Sequence, residues 1–115
     1  MPSYDLSRLS AIAKGLEPIQ RECMITLALK IADDSCKMDD YERSVFMQLY
    51  DAMQVYQSDF FDEDIFSLIV QTRQSPSAQL FAKIKPLRQA GMDYVGRPKM
   101  KAFKAHVRHE LTQEI

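Results

Sequence analysis

From Ile19 to Ala32 the chain places Ile19, Cys23, Met24, Ile25, Leu27, Ala28, Leu29, Ile31 and Ala32 so that, at helical spacing, apolar side chains wrap most of the circumference. A helix apolar on nearly every side is stable in water only when other elements cover it all round. The segment therefore predicts a central, buried helix with the rest of the chain packed about it. Its uninterrupted apolar part, Cys23 to Ala32, contains Lys30 and is roughly half the length a bilayer span needs, so no membrane span is expected. Glu17-Pro18 marks its start, because the missing N–H of proline has no helical partner in a first turn anyway.

The remaining apolar residues fall into similar helical stripes. Leu6, Leu9, Ile12, Ala13 and Leu16 predict a short first helix, capped by Ser3 or Asp5 and ending near Gly15. Asp39-Asp40-Tyr41-Glu42 reads as a capping box, with Asp39 accepting the N–H near Glu42 and Glu42 reaching back, and opens a helix whose core stripe is Val45, Phe46, Leu49, Tyr50, Met53 and Tyr56. Asp62 caps the next, with Glu63 and Asp64 in its first turn and Ile65, Phe66, Leu68, Ile69 and Val70 to bury it. Ser75-Pro76 predicts another start, and Leu80, Phe81, Ile84, Leu87, Gly91 and Tyr94 a stripe broken at Lys85-Pro86, where proline removes a backbone donor. Gly96-Arg97-Pro98 precedes a last helix with Met100, Phe103, Val107 and Leu111 on one stripe. The expectation is an all-α protein: a compact bundle of six or seven short helices forming one domain over 1–115. Only 3 Gly and 5 Pro in 115 residues agree with it.

Two features bear on compartment. Met1 to Leu16 lacks the basic-then-apolar order of a secretory signal, and Cys23 and Cys36 lack C-x-x-C spacing, so a cytoplasmic protein without disulfides is expected. Cys36 among carboxylates and Cys23 in an apolar helix are poor nucleophiles. Charge is segregated although the net is only -1: ten acids against Lys37 and Arg43 from Asp33 to Asp64, and eight bases against Asp93 alone from Lys83 to Arg108. This predicts an electric dipole, unless the two poles face each other in the fold.

The acidic connection Asp33-Asp34-Ser35-Cys36-Lys37-Met38-Asp39-Asp40-Tyr41-Glu42 is the densest charge in the chain. Its repulsion has to be relieved by water, helix N-termini, basic side chains or a bound cation. As an EF-hand loop starting at Asp33 it fails at three of five key positions, which hold Asp33, Ser35, Lys37, Met38 and Ser44. A looser Ca2+ or Mg2+ site would use Asp33, Asp34, Asp39 and Glu42. The competing reading makes Asp39 and Glu42 helix caps and leaves the others hydrated.

The run Ala28-x-x-Ile31-Ala32-Asp33, followed by Met38-Asp39-Asp40-Tyr41-Glu42, resembles the tellurite-resistance TerB family, whose signature is an alanine-rich helix, an "A-D-G" turn, an apolar residue and a glutamate opening the next helix. The resemblance covers Leu27 to Met53. It implies an all-helical fold and an acidic cluster associated with cation binding, and carries the family's acidic positions onto Asp33 and Glu42. Asp34 stands where the turn glycine is expected, and Ser35-Cys36-Lys37 reads as an insertion.

On the last helix Arg97, Lys101, Lys104 and Arg108 fall within about 60 degrees of one another, beside the apolar stripe, where they could contact a polyanion or an acidic partner. His106 and His109 with Glu110 supply too few ligands to define a metal site. Tyr41, Tyr50, Tyr56, Phe60 and Phe61, bordered by Asp51, Asp59 and Asp62, read mostly as core with a docking flank. Enzyme motifs are absent: no glycine-rich phosphate loop, no G-x-S-x-G, no H-E-x-x-H. The leading expectation is a non-catalytic TerB-like adaptor that binds a protein partner, with a divalent cation as a candidate ligand, in a bacterial stress-response or envelope-associated assembly. Its alternatives are a nucleic-acid-associated accessory protein using the basic helix and a small metal-dependent hydrolase using Asp33, Asp34 and Glu42.

Overall fold

The computed structural model describes residues 6–112. All regular structure among them is helical: a 3-10 turn (Leu6–Arg8), α1 (Leu9–Gly15), α2 (Pro18–Ala32), α3 (Asp40–Tyr56), a second 3-10 turn (Ser58–Phe60), α4 (Glu63–Gln74), α5 (Ala78–Val95) and α6 (Arg97–Thr112). The Ser3 and Asp5 caps expected for the first helix lie outside the described residues. No described helix is long and apolar enough to cross a membrane.

The apolar segment is the axis of the bundle. α2 packs against α3, α4, α5 and α6, which is why Cys23, Met24, Leu27, Ala28, Leu29, Ile31 and Ala32 are all buried. Truncating one such side chain, Leu27→Ala for instance, costs about 2–5 kcal/mol. Its start is fixed locally: Pro18 occupies the first turn, and Glu17 and Gln20 form a reciprocal capping box, with the Glu17 N–H donating to Gln20 Oε1 at 2.8 Å. Its end is a Schellman turn, in which the Ser35 N–H donates to the Lys30 carbonyl (2.9 Å) and the Asp34 N–H to that of Ile31 (3.2 Å). Such a turn needs a left-handed residue. Asp34 supplies it at φ 57° without being glycine.

α1 lies on α3, and its terminal carbonyls are satisfied from a distance. Gln57, just past α3, donates through Nε2 to the carbonyls of Ala13 (2.6 Å) and Leu16 (3.2 Å) and accepts from Arg21 Nη1 (2.9 Å). These contacts answer the unpaired last carbonyls of a helix with side chains about forty residues away. α3 and α4 start where their aspartates predicted: the Asp39 carboxylate accepts the Glu42 N–H at 2.8 Å and that of Asp62 the Ile65 N–H at 3.0 Å. The reciprocal half of the Asp39 box is not made, because the Glu42 carboxylate turns to Arg108.

Helix α5 departs furthest from expectation. It begins two residues later than Ser75-Pro76 suggested, with Ser77 as cap (Leu80 N–H to Ser77 Oγ, 3.2 Å), and it runs unbroken through Pro86. The helix survives because Ala82, whose carbonyl loses its partner to proline, and Pro86 itself both face solvent, where water replaces the missing bond. The expected stripe is the core face only in part: Ile84 is buried and Gly91 lies against α2, whereas Phe81, Leu87 and Tyr94 are exposed. Gly91 explains the geometry. A Cβ there would lie 2.2 Å from Thr26 Oγ1, so only glycine lets α5 approach α2 this closely. α6 follows expectation, burying Met100, Phe103, Val107 and Leu111.

Candidate functional site

The acidic turn is where function was expected, and the fold distributes its carboxylates rather than gathering them. The Asp33 side chain, only 5% exposed, accepts from Arg88 Nε of α5 at 2.7 Å and from the Ser35 N–H at 3.2 Å. Asp34 pairs with Arg43 at 2.9 Å and Asp40 with the same guanidinium at 3.4 Å. Asp39 is spoken for by its cap, and Glu42 by the ion pair with Arg108 Nε of α6. Among the described residues no group of three or more His, Cys, Asp or Glu side chains is placed to hold a metal ion. Asp33, Asp34, Asp39 and Glu42 therefore do not fit a divalent cation: each faces a guanidinium or an amide instead of a common centre. A cleft of about 340 Å³ does open beside them, lined by Asp34, Asp40, Arg43, Ser44, Thr72 and Arg73, but its charge is mixed.

The basic helix is divided in the same way. Arg108 is engaged by Glu42, and Lys104 is half-buried, its ammonium pushed below the usual lysine range by burial and by the neighbouring Lys30 and Arg108. Lys101 is exposed, and Arg97 lines a cavity with residues of α2 and α5. The two poles of the sequence thus face each other in part, through Asp33 with Arg88 and Glu42 with Arg108. Neither cysteine is poised for chemistry. Both are buried, and burial pushes the Cys23 thiol up, against the smaller opposing effect of Lys99.

The other acidic region is built differently. α3 and α4 both pack on α2 or its neighbours but touch each other chiefly through side chains such as Tyr50 and Phe66, whose rings lie 6.1 Å apart. A groove of about 450 Å³ remains between them, lined by Asp51, Gln54, Val55, Phe66, Val70 and Arg73. Val55 on its wall is 71% exposed, and exposed Phe61 meets the groove residue Phe66; Phe60 (55%) and Tyr56, the latter expected in the α3 core stripe, are exposed in the chain that follows Val55. This is a held surface and not a frayed one. Arg21 stacks 3.6 Å from the Phe60 ring centroid, Lys14 lies 4.7 Å from that of Tyr56, and Phe61 meets Phe66 edge-on at 5.4 Å.

Around these rings Asp59, Asp62, Glu63 and Asp64 are exposed, and no ion pair among the described residues reaches Asp59, Glu63 or Asp64. Inside the groove, burial pushes the Asp51 carboxyl up and Arg73 draws it partly back. Tyr50 beneath is pushed above the usual phenol range by burial, then by Asp51 and Asp62. Sequence reasoning found the aromatic residues and their acidic border. It missed Gln57 and Arg21, whose contacts hold the region together and which carry no local pattern.

The chain matches no protein-family model, no curated protein and no solved structure.

Proposed function

We propose that this chain is a non-catalytic helical adaptor domain that binds an amphipathic, basic helical segment of a protein partner in the groove between α3 and α4. The observation that carries this reading is the groove itself: an apolar trough with exposed Val55 on its wall and Phe61 against its Phe66, joined to α4 through a connection and first turn where Asp59, Glu63 and Asp64 are exposed and free of ion pairs among the described residues. Helix-in-groove recognition needs an apolar floor for affinity and flanking charge for orientation, and both are present. A cation on the incoming helix would compensate the Asp51 carboxylate, whose charged form burial disfavours. A divalent cation has no part in this reading, since the acidic turn is neutralised from within. The TerB-like pattern adds a context, a bacterial stress-response or envelope-associated assembly.

Titration of isotopically labelled protein with a designed leucine/lysine amphipathic peptide tests the reading. The amides of 51–61 and 63–74 are expected to shift saturably, and Val55→Glu and Phe61→Glu to abolish the effect. A leucine/glutamate peptide of the same length should leave the spectrum unchanged. Shifts confined to α6, or DNA retardation at low salt that depends on Lys101, would transfer the function to the basic helix and defeat the groove.

A further inference from the structure

A second cavity, on another side of α2, has the opposite chemistry. It measures about 350 Å³ and is lined by Lys30 near the end of α2, Ser35 of the following turn, Arg88, Gln89 and Asp93 of α5, and Arg97 at the start of α6, with Met92 its apolar member. Three cations from three helices thus meet one carboxylate. Arg88 gives its Nε to Asp33, which anchors the side chain and leaves both terminal NH2 groups without a protein partner. Neither the Lys30 ammonium nor the Arg97 guanidinium has a hydrogen-bond or ion-pair partner among the described residues.

We propose that this cavity is an anion site that takes a small phosphate monoester. Two guanidinium groups and an ammonium approaching from different elements suit the several oxygens of a tetrahedral dianion better than a planar carboxylate. Arg97 is also the first residue of α6, so the positive end of that helix adds to the same field. The volume exceeds that of a phosphate group alone, and Gln89 and Asp93, one turn apart on α5, offer an amide and an acceptor to hydroxyl groups of the ester. Lys104 of α6 lies within electrostatic reach of Lys30, and its ammonium is pushed below the usual lysine range first by burial and then by Lys30 and Arg108.

The test is calorimetric titration with glycerol phosphate, with inorganic phosphate and glycerol as separate arms at matched ionic strength. Saturable binding of glycerol phosphate is expected, tighter than inorganic phosphate by about tenfold, the size of one or two added hydrogen bonds. Lys30→Gln and Arg97→Gln should each weaken it by about tenfold, and Lys101→Gln, on the same helix but outside the cavity, should leave it unchanged. Since Lys30 and Arg97 hold no ion pair, both variants are expected to melt like the parent, which separates loss of binding from loss of fold. Glycerol phosphate that gives no saturable heat, or that binds both glutamine variants as well as the parent, overturns the anion site. Inorganic phosphate binding as tightly as the ester overturns the assignment of Gln89 and Asp93.

Discussion

The acidic turn and the α3–α4 edge both crowd aspartates beside hydrophobic residues, but the molecule treats them oppositely. In the turn, Asp33, Asp34 and Glu42 each meet an arginine, two of them from the distant helices α5 and α6. At the edge, Asp59, Glu63 and Asp64 have no such partner and surround rings left open to solvent. Charge density alone therefore does not identify an outward-facing surface. What identifies it is whether cationic side chains of the same chain come back to neutralise the acids, which depends on how helices far apart in sequence are packed.

Removing a partner should have its largest effect where neutralisation is most complete. Arg88→Ala strands the Asp33 carboxylate in a nearly closed site and is expected to cost about 3 kcal/mol in a urea unfolding titration, whereas Asp64→Asn at the open edge should stay within about 0.5 kcal/mol. Equal losses in the two variants would erase the distinction between the regions. Gly91→Ala comes next. By driving a Cβ into Thr26, one turn along from Arg88, it should push α5 off α2 at a cost of about 1–3 kcal/mol, and Thr26→Ala in the same chain should recover most of it.

Asp51 sharpens the contrast through pH. Its folded carboxyl pKa is raised, so the fold favours the protonated form, and stability from this group is fully present below the unfolded value of about 4 and is lost as pH rises through the folded value. Asp51→Asn is therefore expected to gain on the parent protein above about pH 4 and to match it below, as read from melting curves across that range. The smallest effect belongs to Asp34→Gly. Relief of the left-handed backbone outweighs an exposed ion pair with Arg43, giving about 0.5 kcal/mol of added stability; a clear loss would mean that the Asp34–Arg43 pair holds the turn.

Much of the architecture was legible because its signals are local. Pro18 with Glu17, Asp39, and Asp62 start helices through groups within a few residues, and Met100, Phe103, Val107 and Leu111 are buried as their spacing predicts. Reading failed where a local rule met a compensating environment. Pro86 lies inside a helix because the Ala82 carbonyl it leaves without a partner faces water, and Phe81, Leu87 and Tyr94 keep helical spacing without being core because α2 covers only one side of α5. The candidate groove was visible only as an aromatic cluster with an acidic border. Its open state depends on α3 and α4 standing apart on α2.

The amino-acid sequence by itself determined an all-helical bundle around an apolar axis, since periodicity, caps and turn chemistry act over one or two turns of chain. Only tertiary structure decided which acids are neutralised and which are presented. Arg88 and Arg108 lie 55 and 66 residues from the carboxylates they bind, and an ion pair is set by separation in space, which the packing of α5 and α6 on α2 alone establishes.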